Sequence, residues 1–266
     1  MKKLIFILAF LFINMFLTAQ PSISPVVLNS VGGSVQLSGG GYLAWSVGEP
    51  VITPISSVNT IISQGFLQTW PASSSFKNLL LTLYLEGLFN GSNMNKAKNV
   101  AGDQFSGLTA DQITVELHNS VSPFALAGGP YTVNLETDGS AVFPSIPSSL
   151  GSNYYIVVKH RNSVETWNAS PISFSGASIN YNFSSAATQA YGSNMKLVSG
   201  KYMIYSGDVN QDGVIDSGDL IPVDNDAASF FSGYLVTDVN GDGLVNTADI
   251  TVINNNSTIF IGKITP

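Results

Sequence analysis

The sequence contains no cysteine, only two histidines and few charged residues, which make up 10% of its 266 positions. A chain without cysteine has no disulfide, no thiolate metal ligand and no thiol nucleophile. Lysine and arginine are also missing between Lys201 and Lys263, and no basic stripe occurs elsewhere. Nucleic acid is therefore not an expected partner, because binding it requires clustered positive charge.

The negative charge is concentrated near the C-terminus. Residues 201–266 carry nine aspartates and two lysines, whereas acidic and basic residues balance over the first 200 positions. The whole net charge of −7 therefore comes from this segment. Carboxylates this dense repel one another unless a cation lies among them.

Two stretches thirty residues apart repeat one pattern, DVNQDGVIDSGD at 208–219 and DVNGDGLVNTAD at 238–249. Each places oxygen-bearing side chains at loop positions 1, 3, 5, 9 and 12, with glycine at position 6 and an apolar residue at position 8. This is the pattern of an EF-hand calcium loop, in which position 7 adds a backbone carbonyl. The sequence therefore predicts two Ca²⁺ sites.

The pair resembles the duplicated repeat of a type I dockerin, whose loops close with aspartate, as Asp219 and Asp249 do. The resemblance covers residues 201–266 and implies a helix after each loop only. It assigns the first ion to Asp208, Asn210, Asp212, the carbonyl of Val214, Asp216 and Asp219. It assigns the second ion to Asp238, Asn240, Asp242, the carbonyl of Leu244, Asn246 and Asp249.

The resemblance also implies a partner, because dockerins bind cohesin domains. Family members use small or hydroxyl residues at loop positions 10 and 11, which Ser217-Gly218 and Thr247-Ala248 match. They also use basic residues in the following helix, and this sequence has none there. Two hypotheses stay open: a cohesin-docking component of a polysaccharide-degrading assembly, and a module that simply folds around calcium.

Two packing expectations accompany the repeat. Ile215 and Val245 should pack against each other across a short two-stranded contact between the loops. The segment Tyr202–Tyr205 should pair with the region Ile259–Ile264, because apolar residues alternate in both.

The N-terminus has the features of an export signal. Lys2-Lys3 precede an apolar run from Leu4 to Leu17, and small residues follow at Thr18-Ala19. The run is short for a membrane span, and no later stretch approaches one. We expect cleavage after Ala19 and a secreted or cell-surface protein without a membrane span, with an uncleaved anchor as the alternative.

The remaining sequence indicates a mainly β fold. Low charge and frequent turn residues predict a small β-domain at 20–72, a linker at 73–76 and a β-sandwich at 77–204, before the small α module at 205–266. Leucines alternate from Leu79 to Leu85, which predicts one buried strand face.

The β-domains also resemble modules of secreted adhesin-like or hemagglutinin-like bacterial proteins. The resemblance is carried by Leu85-Glu86-Gly87, Val115–His118 and Tyr154–Asn162 in the second domain, and by Trp45–Pro50 with Gln64–Gln68 in the first. It implies a β architecture and an extracellular or cell-surface setting. Taking the β-domains and the repeat together, we expect a non-catalytic role in interaction or adhesion, with a cohesin-type domain or a surface glycan as partner. The resemblance carries no catalytic residues.

The sequence does not favour an enzyme. Acids outside the loops are scattered, apart from Glu136 and Asp138 beside a predicted turn, and no Gly-x-Ser-x-Gly elbow occurs. The cluster His160-Arg161-Asn162 could bind an anion or a sugar hydroxyl. The favoured interpretation is a strand end, with His160 satisfied by a neighbouring backbone group. A glycoside hydrolase is the less favoured alternative.

Overall fold

The protein is described from a computed structural model. The described residues are 31–36, 42–47, 55–57, 60–62 and 76–266. The chain divides into two compact units, Met1–Ala72 and Ser73–Pro266, and each is treated by itself. The predicted signal peptide, and the predicted linker apart from residue 76, lie outside the described residues. Within those ranges, no helix is long and apolar enough to cross a membrane.

The first unit contributes two antiparallel strand pairs. β1 (Val31–Gln36) pairs with β2 (Tyr42–Val47), and β3 (Ile55–Ser57) pairs with β4 (Thr60–Ile62). These short strands agree with the β content that the composition predicts for this segment.

The second unit contains twelve strands, two α-helices and three 3₁₀ turns. The strands are β5 (Phe76–Thr82), β6 (Lys98–Asn99), β7 (Gly102–Asp103), β8 (Thr109–Asn119), β9 (Leu126–Glu136), β10 (Ser140–Pro147), β11 (Asn153–His160), β12 (Ser163–Trp167), β13 (Ile172–Ser173), β14 (Ser178–Asn182), β15 (Lys196–Val198) and β16 (Lys201–Met203). The 3₁₀ turns are Phe183–Ser185, Ala187–Gln189 and Tyr191–Ser193. The helices are α1 (Ser217–Ala228) and α2 (Thr247–Ser257).

Eight of these strands form one sheet, in the order β12-β11-β8-β9-β10-β5-β14, with β13 also paired to β11. Neighbours are antiparallel except β5 and β14, which run parallel. Buried side chains from distant strands share one core, among them Leu79 of β5, Ile156 of β11 and Ile179 of β14. The sheet therefore curls around its own core, a β-sandwich-like arrangement, and the mainly β class is confirmed.

The alternation read from the sequence decides which strand faces are buried. Leu79, Leu81, Leu83 and Leu85 are all buried, so the predicted leucine face is confirmed. Burying such a face drives sheet formation, because each large aliphatic side chain removed from water contributes about 1.5–3 kcal/mol.

The two helices lie over a second, smaller core that the sheet helps to build. This core contains Val164, Val209, Ile215, Val223, Val239, Val245 and Ile253. Val164 belongs to β12, whereas the other members come from the repeat region. The sheet and the repeat region accordingly lie in one compact unit, and the domain boundaries drawn from the sequence stay predictions.

Both packing expectations for the repeat region are corrected in part. Ile215 and Val245 share the second core, but the loops do not pair with each other. Instead, Ile215 N donates to Ile261 O (2.8 Å), and Val245 N donates to Phe231 O (3.1 Å). Each loop therefore pairs with the segment that follows the helix of the other repeat.

The segment before the first loop also pairs differently from the expectation. Lys201–Met203 forms a hairpin with Lys196–Val198, and Ile204 bridges to Leu85. The C-terminal region pairs with the first loop, where Gly262 bridges to Val214. The alternation of apolar residues thus did not identify the pairing partners. Lys201–Met203 is a strand, whereas the region Ile259–Ile264 contributes only the bridge at Gly262.

Candidate metal centre

The loops at 208–219 and 238–249 have the same internal geometry. At position 12, Asp219 Oδ1 accepts hydrogen bonds from Val209 N (2.7 Å) and Asn210 N (3.1 Å), and its Oδ2 accepts one from Asp216 N (3.0 Å). Asp249 accepts the three equivalent bonds from Val239 N (2.8 Å), Asn240 N (3.0 Å) and Asn246 N (2.9 Å). Both carboxylates are buried and close their loops. A carboxylate has about four lone-pair positions, so each can still contact a cation.

Position 9 of each loop caps the following helix. Asp216 Oδ1 accepts from Gly218 N (2.6 Å), and Asn246 Oδ1 accepts from Ala248 N (2.8 Å). Together with the residue at position 12, each forms a capping box at its helix N-terminus. A side chain used in this way reaches a calcium ion through water, as position 9 of EF-hand loops often does.

Positions 3 and 5 form successive turns around the centre of each loop. Asp212 N donates to Asn210 Oδ1 (2.8 Å), and Val214 N donates to Asp212 Oδ1 (3.0 Å). The second loop repeats both bonds, from Asp242 N to Asn240 Oδ1 (2.8 Å) and from Leu244 N to Asp242 Oδ1 (2.9 Å).

The glycine at position 6 takes a positive φ, 92° at Gly213 and 86° at Gly243, as the sharp turn requires. The bridge between Val214 and Gly262 is made by two backbone hydrogen bonds. Lys263 N donates to Gly213 O (2.6 Å), and Ile215 N donates to Ile261 O (2.8 Å). The carbonyl of Val214, a predicted ligand, lies outside these two bonds.

Position 1 carries the most informative feature of the site. Asp208 is 2% exposed and Asp238 is 0% exposed. The Oδ1 atom of each is buried and has no hydrogen-bond partner in the described part of the chain. Burying an anionic oxygen without a partner costs free energy, and a cation bound at this position would offset that cost.

The electrostatics of position 1 agree with its burial. Burial raises the pKa of Asp208 to about 6, and the nearby Asp219 carboxylate adds to the rise. Burial also raises the pKa of Asp238 to about 6, although the positive charge of Arg161 opposes it. In the protein without metal, both carboxyl groups therefore ionise at a higher pH than an ordinary aspartate does. A bound divalent ion would lower their pKa values.

The donor set fits calcium in its chemistry, because every predicted ligand offers a hard oxygen. The carboxylates at positions 5 and 12 are engaged in hydrogen bonds within the loops. Over the residues described, no group of three or more His, Cys, Asp or Glu side chains is arranged to hold a metal ion. The twelve ligands and the two calcium ions therefore stay predictions.

Sequence reasoning missed a buried polar joint between the sheet and the second loop. Asp111, at the centre of the joint, accepts from His160 Nε2 (3.1 Å), Arg161 Nε (3.1 Å) and Tyr234 Oη (2.5 Å). Burial opposes its ionisation, but the hydrogen bond and charge of His160, with help from Arg161, hold the pKa of Asp111 well below its usual range. The joint thus fixes a charged carboxylate in the interior.

The joint continues to the start of the second loop. Arg161 donates to Leu235 O, and Asn162 Nδ2 donates to Val236 O and Asp238 O, both at 3.0 Å. The end of β11 is therefore bonded directly to the backbone of a predicted calcium ligand. The only feature of the sequence that points to this joint is the cluster His160-Arg161-Asn162, because charged residues are rare in the chain.

The hydrogen-bond partner predicted for His160, a neighbouring backbone group, is wrong. The residue does end a strand, but its ring nitrogens meet the side chains of Asp111 and Ser163, with Nδ1 lying 3.0 Å from Ser163 Oγ. Asp111, His160 and Ser163 thus form a line like a catalytic triad. All three are buried, and Ser163 Oγ also contacts Ser206 Oγ (3.1 Å).

No family model matches the chain, and no curated protein matches it. The similar solved structures include two interface mutants of a type II Cohesin-X-Dockerin complex from Acetivibrio cellulolyticus. The C-terminal interface mutant matches with 14% identity and a TM-score of 0.39, over 71% of this chain and 97% of the other. The N-terminal interface mutant matches with 12% identity and a TM-score of 0.39, over 68% of this chain and 95% of the other. At this TM-score the likeness carries no argument about fold or partner.

Proposed function

We propose that the chain is a secreted or cell-surface calcium-binding protein without catalytic activity. Its two C-terminal loops each bind one Ca²⁺ ion in support of an interaction outside the cell. The observation that carries this proposal is the pair of buried carboxylate oxygens without partners, at Asp208 and Asp238. They lie at the same position of two loops with matching hydrogen bonds, which a single accidental turn does not explain.

When bound, calcium supplies the positive charge that the acidic loops need. The residues at positions 1, 5 and 12, together with the asparagine at position 3 and the carbonyl at position 7, would contact it in each loop. The residue at position 9 would keep its capping role and act through water.

The surface of the repeat region supports an interaction role. Phe230 is 90% exposed and Phe260 is 88% exposed, thirty residues apart at the ends of equivalent helices. Val214 and Leu244, at position 7 of the two loops, are also exposed large apolar residues. Large apolar side chains left exposed at equivalent positions of the two repeats are candidates for contact with a partner.

Docking to a cohesin-type domain is the second candidate function, and one observation favours it. Ser217 and Thr247, which occupy loop position 10, are both exposed at the start of their helices. Neither helix has a basic residue in its last turn, so the expected second half of a dockerin contact is missing. Adhesion therefore remains the first candidate, with a surface glycan as the alternative partner.

Calcium binding is tested by titrating Ca²⁺ into the chelator-treated full chain in a calorimeter. We expect two sites in the wild type and one site in each of the variants Asp208→Ala and Asp238→Ala. Asp224→Ala is the matched control, because it removes an exposed carboxylate from α1 and should retain both sites. A wild type that produces no heat would refute the proposal.

The partner is tested separately, with the calcium-loaded chain presented to purified cohesin domains and to a glycan array. Capture by a cohesin that disappears with chelator supports docking. Binding to a glycan without capture by any cohesin supports adhesion. Release of reducing sugar from a polysaccharide panel would instead contradict the non-catalytic part of the proposal.

A further inference from the structure

Three side chains from distant parts of the second unit meet beside α2. Lys196 lies in β15, Glu86 follows β5, and Asn256 lies in the last turn of α2. Lys196 Nζ lies 2.5 Å from Glu86 Oε1 and 3.0 Å from Asn256 Oδ1. Asn256 Nδ2 donates to the other oxygen of the same carboxylate, Glu86 Oε2, at 2.7 Å. One carboxylate therefore bridges a primary amine and a primary amide.

The amide is held firmly and shielded from water. Asn256 is 0% exposed, and its Nδ2 also donates to Ser206 O at 2.8 Å. Its carbonyl oxygen accepts a hydrogen bond from Lys196 Nζ, and the amide carbon is bonded to that oxygen. The Lys196 side chain is 26% exposed, so the amine reaches the buried amide from the protein surface. Groups held in contact react faster than the same groups in solution, because the entropy of bringing them together has already been lost.

We propose that Lys196 and Asn256 join through an intramolecular amide bond, with Glu86 as the proton carrier. Glu86 takes a proton from the Lys196 ammonium group, and the freed Nζ lone pair attacks Asn256 Cγ. The Nζ–Cγ bond forms, and the Cγ–Nδ2 bond breaks as Glu86 returns the proton to Nδ2. Nζ gives up a second proton, again through Glu86, and the released ammonia takes it up and leaves as ammonium. An ammonium group and a carboxamide become a secondary amide and one ammonium ion, with no oxidant or reductant.

The link would join α2 covalently to β15. It closes a loop of sixty residues that contains both predicted calcium loops. In a chain with no cysteine, it would provide the covalent constraint that a disulfide provides elsewhere. None of the three residues is a predicted calcium ligand, so this inference does not depend on the proposed function.

A second lysine–glutamate pair shows how the group at Lys196 differs from an ordinary salt bridge. Lys159 Nζ lies 2.9 Å from Glu116 Oε2, a comparable lysine–glutamate contact. Across residues 76–266, that pair forms no hydrogen bond with an asparagine amide. Lys159 can form a salt bridge but has no electrophile, which makes Lys159→Arg the matched control.

The test is the mass of the folded, purified full chain and of its peptides. We expect the wild type to be lighter than its sequence mass by about 17 Da, the mass of the ammonia released. Digestion should yield a branched peptide that joins the segments containing Lys196 and Asn256. Lys159→Arg should keep the branched peptide, whereas Lys196→Arg and Glu86→Gln should lose it and the mass deficit that accompanies it.

Peptide mapping is needed because other cyclisations also release ammonia. A deficit that survives in Lys196→Arg, without a branched peptide in the wild type, would overturn the proposal. So would a folded wild type with its full sequence mass, because the three groups would then form only an ion pair. A branched peptide that persists in Glu86→Gln would overturn the role of Glu86.

Discussion

At the scale of single residues, the turn after β5 packs tightly against the second loop at Gly87. A Cβ atom built there would lie 2.0 Å from Val239 O, a backbone atom that cannot move aside cheaply. Only glycine allows this approach, and it brings the strand end next to a loop that carries six predicted ligands. The sequence gives no sign of this requirement, because Gly87 resembles any turn glycine.

We expect Gly87→Ala to lower the free energy of unfolding by about 1–3 kcal/mol, the usual cost of overpacking. It should also weaken calcium binding at the second loop more than at the first. Urea unfolding and calcium titration measure the two effects. Gly151→Ala is the control, because its nearest neighbour would be Lys77 Nζ at 4.0 Å. Equal losses in the two variants would contradict the role of close packing.

The two aspartates at position 1 give the protein a pH dependence that calcium should reverse. Each has a pKa of about 6 in the folded protein without metal. The ordinary value in an unfolded chain is about 3.9. The folded pKa lies above the unfolded one, so their contribution to stability is fully present below about pH 4 and is lost as the pH rises through about 6.

In chelator, we therefore expect the wild type to lose stability relative to the double variant Asp208→Asn/Asp238→Asn as the pH rises from 4 to 7. The double variant is the right reference, because it differs from the wild type only at these two aspartates and retains every other titrating group. Thermal unfolding at several pH values measures the difference. With calcium present, the wild type should become the more stable of the two at pH 7. A difference that does not vary with pH would contradict the assignment.

At the scale of elements, the repeat is built as two interlocked halves. Each loop pairs with the segment after the helix of the other repeat, through bonds such as Lys263 N to Gly213 O (2.6 Å) and Gly233 N to Gly243 O (2.9 Å). Neither half is complete by itself, so the duplication seen in the sequence has a structural function. The helices are nearly equal in length, and α1 continues past Pro222 to Ala228.

Deleting residues 261–266 should therefore damage the first loop selectively. The deletion removes the backbone partners of Gly213 and Ile215, and two hydrogen bonds at about 1 kcal/mol each correspond to roughly a tenfold or greater loss of calcium affinity. The second loop keeps its partners at Phe231 and Gly233 and should bind as before. Titration of the truncated chain measures both sites. Lys263→Ala is the control, because it retains the backbone and should bind calcium normally.

At the scale of the whole second unit, the joint at Asp111 makes the sheet and the repeat region one body. Arg161 and Asn162 bind the backbone of the second loop, while Val164 lies in the core beneath the helices. Calcium should consequently stabilise more than the loops that hold it. At a concentration of about 100 times its dissociation constant, each ion contributes roughly 2.7 kcal/mol.

Chelation should thus raise hydrogen exchange both in the loops and at the strand ends around residues 160–164. Exchange measured by mass spectrometry, with and without calcium, distinguishes these regions. Peptides from β14, at the opposite edge of the sheet from β12, provide the internal control and should respond least. If only the loop peptides respond, the sheet and the repeat region are not coupled through the joint.

The sequence alone determined the mainly β class, the leucine face of β5 and the duplicated loops with their glycines at position 6. These features depend on period and local geometry, which a few adjacent residues specify. The functional interpretation of His160-Arg161-Asn162 could not be settled in the same way. Its partners Asp111 and Tyr234 are distant in the chain, and no local pattern indicates them.

Only the tertiary structure decided which segments pair and which polar groups meet. It placed the C-terminal segment on the first loop, Gly87 against Val239, and Glu86 between Lys196 and Asn256. A local pattern states what a segment can bury or bind, and the packing of the whole core selects the partner. Contacts across more than a hundred residues depend on that packing, so they cannot be read from the chain in sequence order.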